Sequence, residues 1–443
     1  MSQISSIFVL DNGASTIKAG FVETDHDKDV TRARLSAAAT RAKGTRTSKL
    51  HRIDRERIEA QLNTRYEVSI IPNTIVRSAK NKITYIADEL DDCKDFGGLV
   101  FRSPFERGIL TSWDCQRTIW DHVFDKLEVK PLETSLLVTE PYLNPPNVAS
   151  TYDQMIFEEW EFASCYRCTP AAVLTHSNLF EAGDLPNPAR MIVVDAGHSF
   201  THVIPVIDGK VDHAHVRRID VGGKLLTNRL KQVLSQRQFD LSNETHVVNQ
   251  IREDCCYAAL DIRKDAALSK LATAQNPIVQ QYALPDYTSG NMRGRVLSRE
   301  EMAEIEAGGQ SQVLTLNAER YSIPEILFHP SDIGLQQIGL AETIAYVIGL
   351  MPEDEQGLFW ANIGFMGGLA LTENLGERLD NELRMLCPME YEVGIFEANG
   401  VTQAFDAASD LAATPDYLER YPLTVAEYKE YGSDAWRKRF APE

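Results

Sequence analysis

Short apolar runs punctuate the chain, and two of them open the same motif. Ile7-Phe8-Val9-Leu10 leads into Asp11-Asn12-Gly13, and Met191-Ile192-Val193-Val194 leads into Asp195-Ala196-Gly197. A second segment of strand character follows each, Thr16 to Val22 and Thr201 to Ile207. Apolar runs of this length bounded by turn residues read as buried strands, so each unit is a strand, a tight Asp-x-Gly turn and a return strand. One such turn signals only a hairpin. Its recurrence 184 residues later predicts a duplicated α/β architecture with a hairpin from each half facing one cleft. Two more glycine pairs fit that plan. Ile219-Asp-Val-Gly-Gly-Lys224 ends a strand and opens a helix whose Leu226, Leu230, Val233 and Leu234 share a face. Asn362-Ile-Gly-Phe-Met-Gly-Gly368 follows an apolar run and precedes a helix expected over 373–386.

The turns suggest the chemistry of the cleft. A glycine-bearing turn leaves backbone N–H groups pointing one way with no side chain in front, a nest for phosphate oxygens. Each charge-assisted hydrogen bond there contributes about 1.5–3 kcal/mol before desolvation. The Asp opening each turn, Asp11 or Asp195, can hold the water shell of a Mg²⁺ ion. Lys18, on the first return strand, can reach the same phosphates as a point charge. The later glycine pairs let a sugar or phosphate approach a positive helix end.

Charge adds one local exception. The 443 residues carry a net −19, an acidity that argues against a wholly nucleic-acid-binding surface. Residues 31–65 nevertheless hold ten Lys/Arg, among them Arg32, Arg34, Arg41, Lys43, Arg46 and Lys49, against three Asp/Glu. Up to Leu50 this segment has almost no large apolar residue and reads as an extended arm, with a short surface helix expected from Ile53 to Leu62. It is either a solvated insertion or a contact for phosphates or an acidic protein face. Asp88-Glu89-Leu90-Asp91-Asp92 supplies an acidic counterpart, and 286–312 reads as a second surface insertion. The length predicts more than one lobe. No run of 18 apolar residues suggests a membrane span, and the N-terminus lacks signal-peptide character. Seven scattered cysteines fit a reducing compartment.

Several sharper patterns yield to simpler ones. Cys165-x-x-Cys168 and His198-x₃-His202 resemble a zinc motif, but 29 residues separate the pairs where about 12 are needed. Cys165 and Cys168 are expected in a mixed helix as buried thiols, and Cys255-Cys256 likewise. His213 and His215 are expected to alternate on a strand. Glu158-Glu159-Trp160-Glu161 reads as the solvated face of a helix with Phe157 and Trp160 turned inward.

Taken together, these residues resemble the actin family. Asp11-Asn-Gly-Ala-Ser-Thr-Ile-Lys-Ala-Gly-Phe21 is similar to its first phosphate loop, and Asp195-Ala-Gly-His-Ser-Phe-Thr-His202 to its second. Gly367-Gly368 is similar to the pair beneath the adenosine, and Pro104 to Asp114 and Thr139 to Pro145 also match. The resemblance runs end to end apart from 31–69 and 286–312. It implies an α/β actin-like duplicated ATPase clamshell, two lobes in four subdomains around a nucleotide cleft. Residues 1–24, 101–185 and 401–443 form the first lobe core, and 25–100 its peripheral subdomain. Residues 186–222 and 336–400 form the second lobe core, and 223–335 its peripheral subdomain. ATP and Mg²⁺ are then lined by Asp11, Gly13, Lys18, Asp195, Gly197, Gly223, Arg252, Glu253 and Gly368, with Asp11 and Asp195 touching the metal through water.

Departures from the family pattern bear on catalysis. Pro170 occupies the position of the Gln that orients the attacking water in actins, and proline has no side-chain donor or acceptor. His202 aligns with the second hydrolytic residue but lacks that partner. His198-Ser199 replaces an Asp-Gly in the second loop, and Ala14-Ser15 stands where the first usually has a second glycine. The resemblance therefore implies no catalytic residues and no hydrolysis. Met155 to Phe162, Asp220 to Thr227 and the ending from Tyr417 are most similar to a nuclear branch of actin-related proteins. That branch implies a non-filamentous subunit of a Swr-type chromatin remodeller, which exchanges a histone variant into nucleosomes. Its implied partners are a small zinc-bearing HIT-type subunit and the remodeller ATPase, with nucleosomal DNA or histones against the arm. A working ATPase or filament former, or a metabolite kinase, are the alternatives.

Overall fold

The computed structural model describes residues 4–22, 66–80, 82–93, 98–177, 179–180, 188–287, 293–298, 301, 312–398 and 400–436. The arm residues Arg32, Arg34, Arg41, Lys43, Arg46 and Lys49, and the expected helix at 53–62, lie outside them.

Two sheets built to the same plan dominate the structure. In the first, β1 (Ser6–Asn12) forms an antiparallel hairpin with β2 (Thr16–Phe21), which pairs with β3 (Ser69–Pro72). On its other side β1 runs parallel to β4 (Thr134–Thr139), and β4 parallel to β5 (Ser164–Cys168). The short strand Leu423–Thr424 closes that edge. In the second sheet, β6 (Arg190–Ala196) forms a hairpin with β7 (Thr201–Ile207). β8 (Lys210–Val211) and β9 (Arg217–Ile219) both pair with β7. On the far side, β10 (Ile363–Met366) runs parallel to β6 and β11 (Ile395–Glu397) parallel to β10. The duplication expected from the two hairpins is therefore present in five strands of each sheet, while Leu423–Thr424 and β8 have no counterpart in the other. The central strands read as continuous apolar runs because both faces are covered, and β4 is buried at all six positions.

A core cluster joins the two halves. Val9 and Leu137 from the first sheet meet Val193 and Ile204 from the second, with Phe405 packed among them. Separate apolar clusters fill each lobe beyond this shared floor. Helix α1 (Trp113–Lys126) covers the first sheet, burying Ile119, Trp120, Val123 and Phe124. Helix α2 (Gly223–Arg237) buries Leu226, Leu230 and Leu234, with Val233 only half-buried, and packs on α3 (Thr245–Cys255). Two small three-stranded sheets, 75–78 with 84–86 and 99–102, and 280–283 with 295–296 and 313–316, lie outside the two main sheets. The 295–296 strand belongs to the segment read as an insertion.

Some local expectations need correction. Cys165 and Cys168 are buried as expected but stand on strand β5, not on a helix. The strand forms because Ser164 to Cys168 finds β4 as a parallel partner, a non-local pairing that local pattern does not reveal. His213 and His215 lie in a turn between β8 and β9, where the His215 ring bonds the Asp212 carboxylate at 2.6 Å. The helix before Trp160 ends in a π-turn at Met155–Glu159, so Phe157 is buried while Trp160 is half-buried against Trp120 and Phe124. The helix expected from 373 begins at Leu375. Asp88 is engaged by His122 and Lys126 of α1, so α1 supplies it with counter-charge.

Candidate functional site

Both Asp-x-Gly turns sit at the carboxyl ends of the central parallel strands, the edge where open α/β sheets bind ligands. In the first, Asp11 is 6% exposed and accepts a hydrogen bond from the Thr139 hydroxyl at 2.7 Å. Lys18, its register partner on β2, holds its ammonium 3.3 Å from the same carboxylate. Asn12 points the other way, into the lobe. Its amide donates to the Tyr152 hydroxyl at 3.1 Å, and its carbonyl accepts from Trp120 and Asn73. Asn73 also donates to the Gly13 carbonyl at 2.9 Å and accepts from Gln116. This buried amide network fixes the turn from beneath, and sequence reasoning missed it because Asn73 and Gln116 are distant in the chain.

The second turn repeats the geometry. Asp195 pairs in register with His202 on β7, and the Gly197 amide donates across the turn to the Phe200 carbonyl at 2.9 Å. The start of α2 is docked onto this turn. Gly223 N–H donates to the Gly197 carbonyl at 3.1 Å and Lys224 N–H to the His198 carbonyl at 2.8 Å. Gly367, with φ +98°, presses on the same loop from β10, and a side chain there would meet the Ala196 carbonyl oxygen at 2.4 Å.

The electrostatics bring the two turns together across the cleft. Burial and then the nearby Asp11 carboxylate push Asp195 up to about 6, against the Tyr142 hydroxyl and Lys18, which favour its charged form. Arg252 lies deeper in the second lobe. Its guanidinium donates to Thr227 at 3.0 Å, to Asn249 at 3.2 Å and to Glu253 at 2.9 Å. The position a Gly223 Cβ would take is 3.7 Å from both Arg252 Nη2 and His198 Nδ1. His198 thus fills space beside Arg252, and burial together with Lys224 and Arg252 pulls it down to about 4, which keeps it neutral. Among the described residues, nothing lies within 4 Å of where a Gly368 side chain would project. Asp11, Gly13 and Lys18 form one group, Asp195 and Gly197 stand opposite, and Gly223, Arg252 and Glu253 form the second lobe's inner wall.

These residues fit a polyphosphate. The amides of Ala14 and Ser15 in one turn, and of His198 and Ser199 in the other, make no backbone hydrogen bond among the described residues. A side chain at Gly13 would crowd the Thr16 carbonyl at 2.7 Å and stand 3.6 Å from the Lys18 ammonium, so only glycine leaves the nest open. For an ATP–Mg²⁺ complex, the turns and Lys18 would hold phosphate oxygens, and Asp11 and Asp195 the metal's water shell.

The hydrolytic end is different. Pro170 is the first residue of a short helix, Pro170–Val173, a position suited to its missing N–H. The next amide, Ala171, donates to the Tyr142 hydroxyl at 3.0 Å. That hydroxyl also lies near the Asp195 carboxylate and favours its charged form. Tyr142 follows β4 and crosses from the first lobe to the second, and its ring lies 5.0 Å from the His202 ring. His202 is packed between Tyr142 and Phe200, and burial and then Arg218 pull it down to about 4. Tyr142 had no assigned role from the sequence. A tyrosine between Pro141 and Pro145 was the sole local signal.

Similarity to known proteins agrees with this geometry. The actin family profile matches residues 2–441. The chain belongs to the actin family. It is 48% identical over 393 residues, 85% of its own length and 80% of the relative's, to "Actin-like protein ARP6" of Cryptococcus neoformans. It is 36% identical to "Actin-like protein ARP6" of Yarrowia lipolytica, over 84% of this chain and 92% of that one. It is 32% identical to "Actin-related protein 6" of Drosophila melanogaster, over 84% of this chain and 94% of that one. The α/β fold and the actin-related character expected from the motifs are thereby established, and relatives called actin-related protein 6 are the branch it is most like.

Proposed function

We propose that this chain is a non-filamentous structural subunit of a nuclear chromatin-remodelling complex that exchanges a histone variant into nucleosomes. Its clamshell binds ATP with Mg²⁺ between the two turns and does not hydrolyse it. The observation that carries this reading over a working ATPase is the hydrolytic corner. Pro170 offers no group to a water, and the nearby Tyr142 hydroxyl is already engaged by the Ala171 amide. A nucleotide held without turnover acts as a structural ligand, because binding only the folded form stabilises that form. Supporting the assembly is the likeness, over most of the chain, to relatives called actin-related protein 6. In this reading a zinc-bearing HIT-type subunit and the remodeller ATPase are the protein partners. Arg32, Arg34, Arg41, Lys43, Arg46 and Lys49 meet nucleosomal DNA or histones.

Two measurements test the proposal. Purified protein incubated with ATP and Mg²⁺ is expected to release phosphate no faster than buffer, and a rate abolished by His202→Ala would refute the non-hydrolysing site. Neutralising the six arm residues is expected to weaken nucleosome binding by the assembled complex and to flatten its salt dependence. Unchanged affinity and slope would remove the arm from the interface.

A further inference from the structure

The second lobe carries an apolar face with an acidic surround that the nucleotide site does not use. Helix α4 (Leu375–Leu386) buries Leu375, Leu379 and Leu383 on one side, as its spacing dictates. It ends on two apolar side chains turned outward, Met385 at 77% and Leu386 at 44% exposure. The following loop adds Met389, fully exposed. That loop is fixed in place. The Tyr391 hydroxyl donates to the Glu353 carbonyl at 3.3 Å, and the Tyr391 ring packs at Gly357 on the neighbouring helix Gln356–Trp360. The same neighbouring helix presents Leu358 at 54% exposure. Four large apolar side chains are thus held outward on adjacent, ordered elements, which is the mark of a partner surface.

Beside them runs a groove of ≈ 470 Å³ lined by Glu377, Asp380, Arg384 and Glu397. Arg384 is occupied by Asp380 at 2.8 Å, and the Glu397 carboxylate lies against Gly376, in the place a side chain there would fill. Glu377 and Glu397 are exposed and neither forms an ion pair among the described residues. Residues 350–397 hold ten Asp/Glu and two Arg, a net −8 of the chain's −19; of these acids, Glu355 is paired with Arg190 outside the segment. Both arginines are internally paired, Arg378 with Glu325 and Glu382 and Arg384 with Asp380.

We propose that this face docks a basic segment of a partner protein, its apolar anchors on Met385, Met389 and Leu358 and a Lys or Arg head group in the Glu377–Glu397 groove. Charge selects that occupant. An apolar patch alone accepts many partners, but a surround of uncompensated carboxylates repels acidic segments and steers basic ones. Exposed methionines suit a helical anchor because their side chains adapt to its shape. The proposal is independent of whether ATP is bound or hydrolysed.

The test uses the full chain and two synthetic amphipathic helical peptides, one with Lys/Arg flanking a leucine stripe and one with Glu in their place. Fluorescence anisotropy should show the basic peptide binding, weakening as salt rises, and the acidic one not. The double variants Met385→Ser/Met389→Ser and Glu377→Gln/Glu397→Gln alter exposed side chains. Each should weaken binding at least about tenfold with the melting temperature unchanged. Equal binding of the two peptides, or parental affinity in both variants, overturns the proposal. So does sedimentation showing a self-associated parent that Met389→Ser returns to monomer, because a second copy would then be the occupant.

Discussion

Tyr142 illustrates what a single hydroxyl can do between two lobes. It accepts from the Ala171 amide at 3.0 Å and favours the charged form of nearby Asp195, so its loss leaves a buried amide without that partner. Tyr142→Phe keeps the ring against His202 and removes the oxygen alone. A buried polar group stripped of its partner costs about 1–3 kcal/mol, and thermal melts should show a destabilisation of that size. Hydrogen exchange in the Asp195 turn should rise at the same time; a variant that melts and exchanges like the parent would mean the hydroxyl is idle. The residues readable from sequence and those that were not differ in a physical way. Asp11, Gly13 and Lys18 belong to one hairpin, so their mutual placement follows from strand register alone. Tyr142 gains its meaning from Ala171 and Asp195, 29 and 53 residues away, and no periodicity encodes a contact of that kind.

At the scale of elements, β5 is the place where local pattern misled. Ser164 to Cys168 carries no strong strand signature, and the fold makes it a strand by pairing it with β4. Its Arg167 then points into a buried polar cluster. The guanidinium lies 2.7 Å from Asp153 and 3.3 Å from Glu140, bonds the Ala149 carbonyl, and stacks on Trp436 with 5.3 Å to the ring centroid. Trp436 also donates to Asp153 at 2.9 Å, so one arginine ties β5, the segment after β4 and the C-terminal region together. Burial pushes Asp153 up to about 6 even with Arg167 opposing it. Arg167→Ala would leave the buried Asp153 carboxylate without its cation, and breaking a buried pair from one side costs about 3–5 kcal/mol. A melt shifted by less than about 1 kcal/mol would mean water reaches the cluster. The hairpins were legible for the opposite reason. A buried strand with two apolar faces and a glycine turn is determined by its own few residues.

The whole molecule depends on how its halves are held. At the floor, Val9, Leu137, Val193 and Ile204 share one apolar core, and the Tyr142 ring adds a contact with the His202 ring. A third contact lies between two peripheral elements. Phe101, on the 99–102 strand, stacks on His246 of α3 with ring centroids 6.0 Å apart and planes 13° from parallel. The other face of that contact holds Gln250, whose amide nitrogen is 3.0 Å from His246 Nε2. Burial, and then the charge of Arg293, pull His246 down to about 4 from an unperturbed 6.5. The folded chain therefore binds fewer protons at this site than the unfolded chain between pH 4 and 6.5. Stability from keeping His246 neutral is complete above about pH 6.5 and is lost as pH falls toward 4, with a slope of up to about 1.4 kcal/mol per pH unit for one proton. His198 and His202, held down to about 4 in the same way, add to the slope. Asp153 and Asp195, raised to about 6, oppose it because the folded chain keeps their protons longer. Three histidines outweigh two aspartates, so urea melts should show stability falling on acidification from pH 6.5 to 5. His246→Gln should lower that slope by close to one proton, while Phe101→Ala should raise exchange at 99–102 and 245–255. An acid slope identical in parent and His246→Gln would mean that this ring is already solvated in the folded protein, and that the Phe101 contact opens freely.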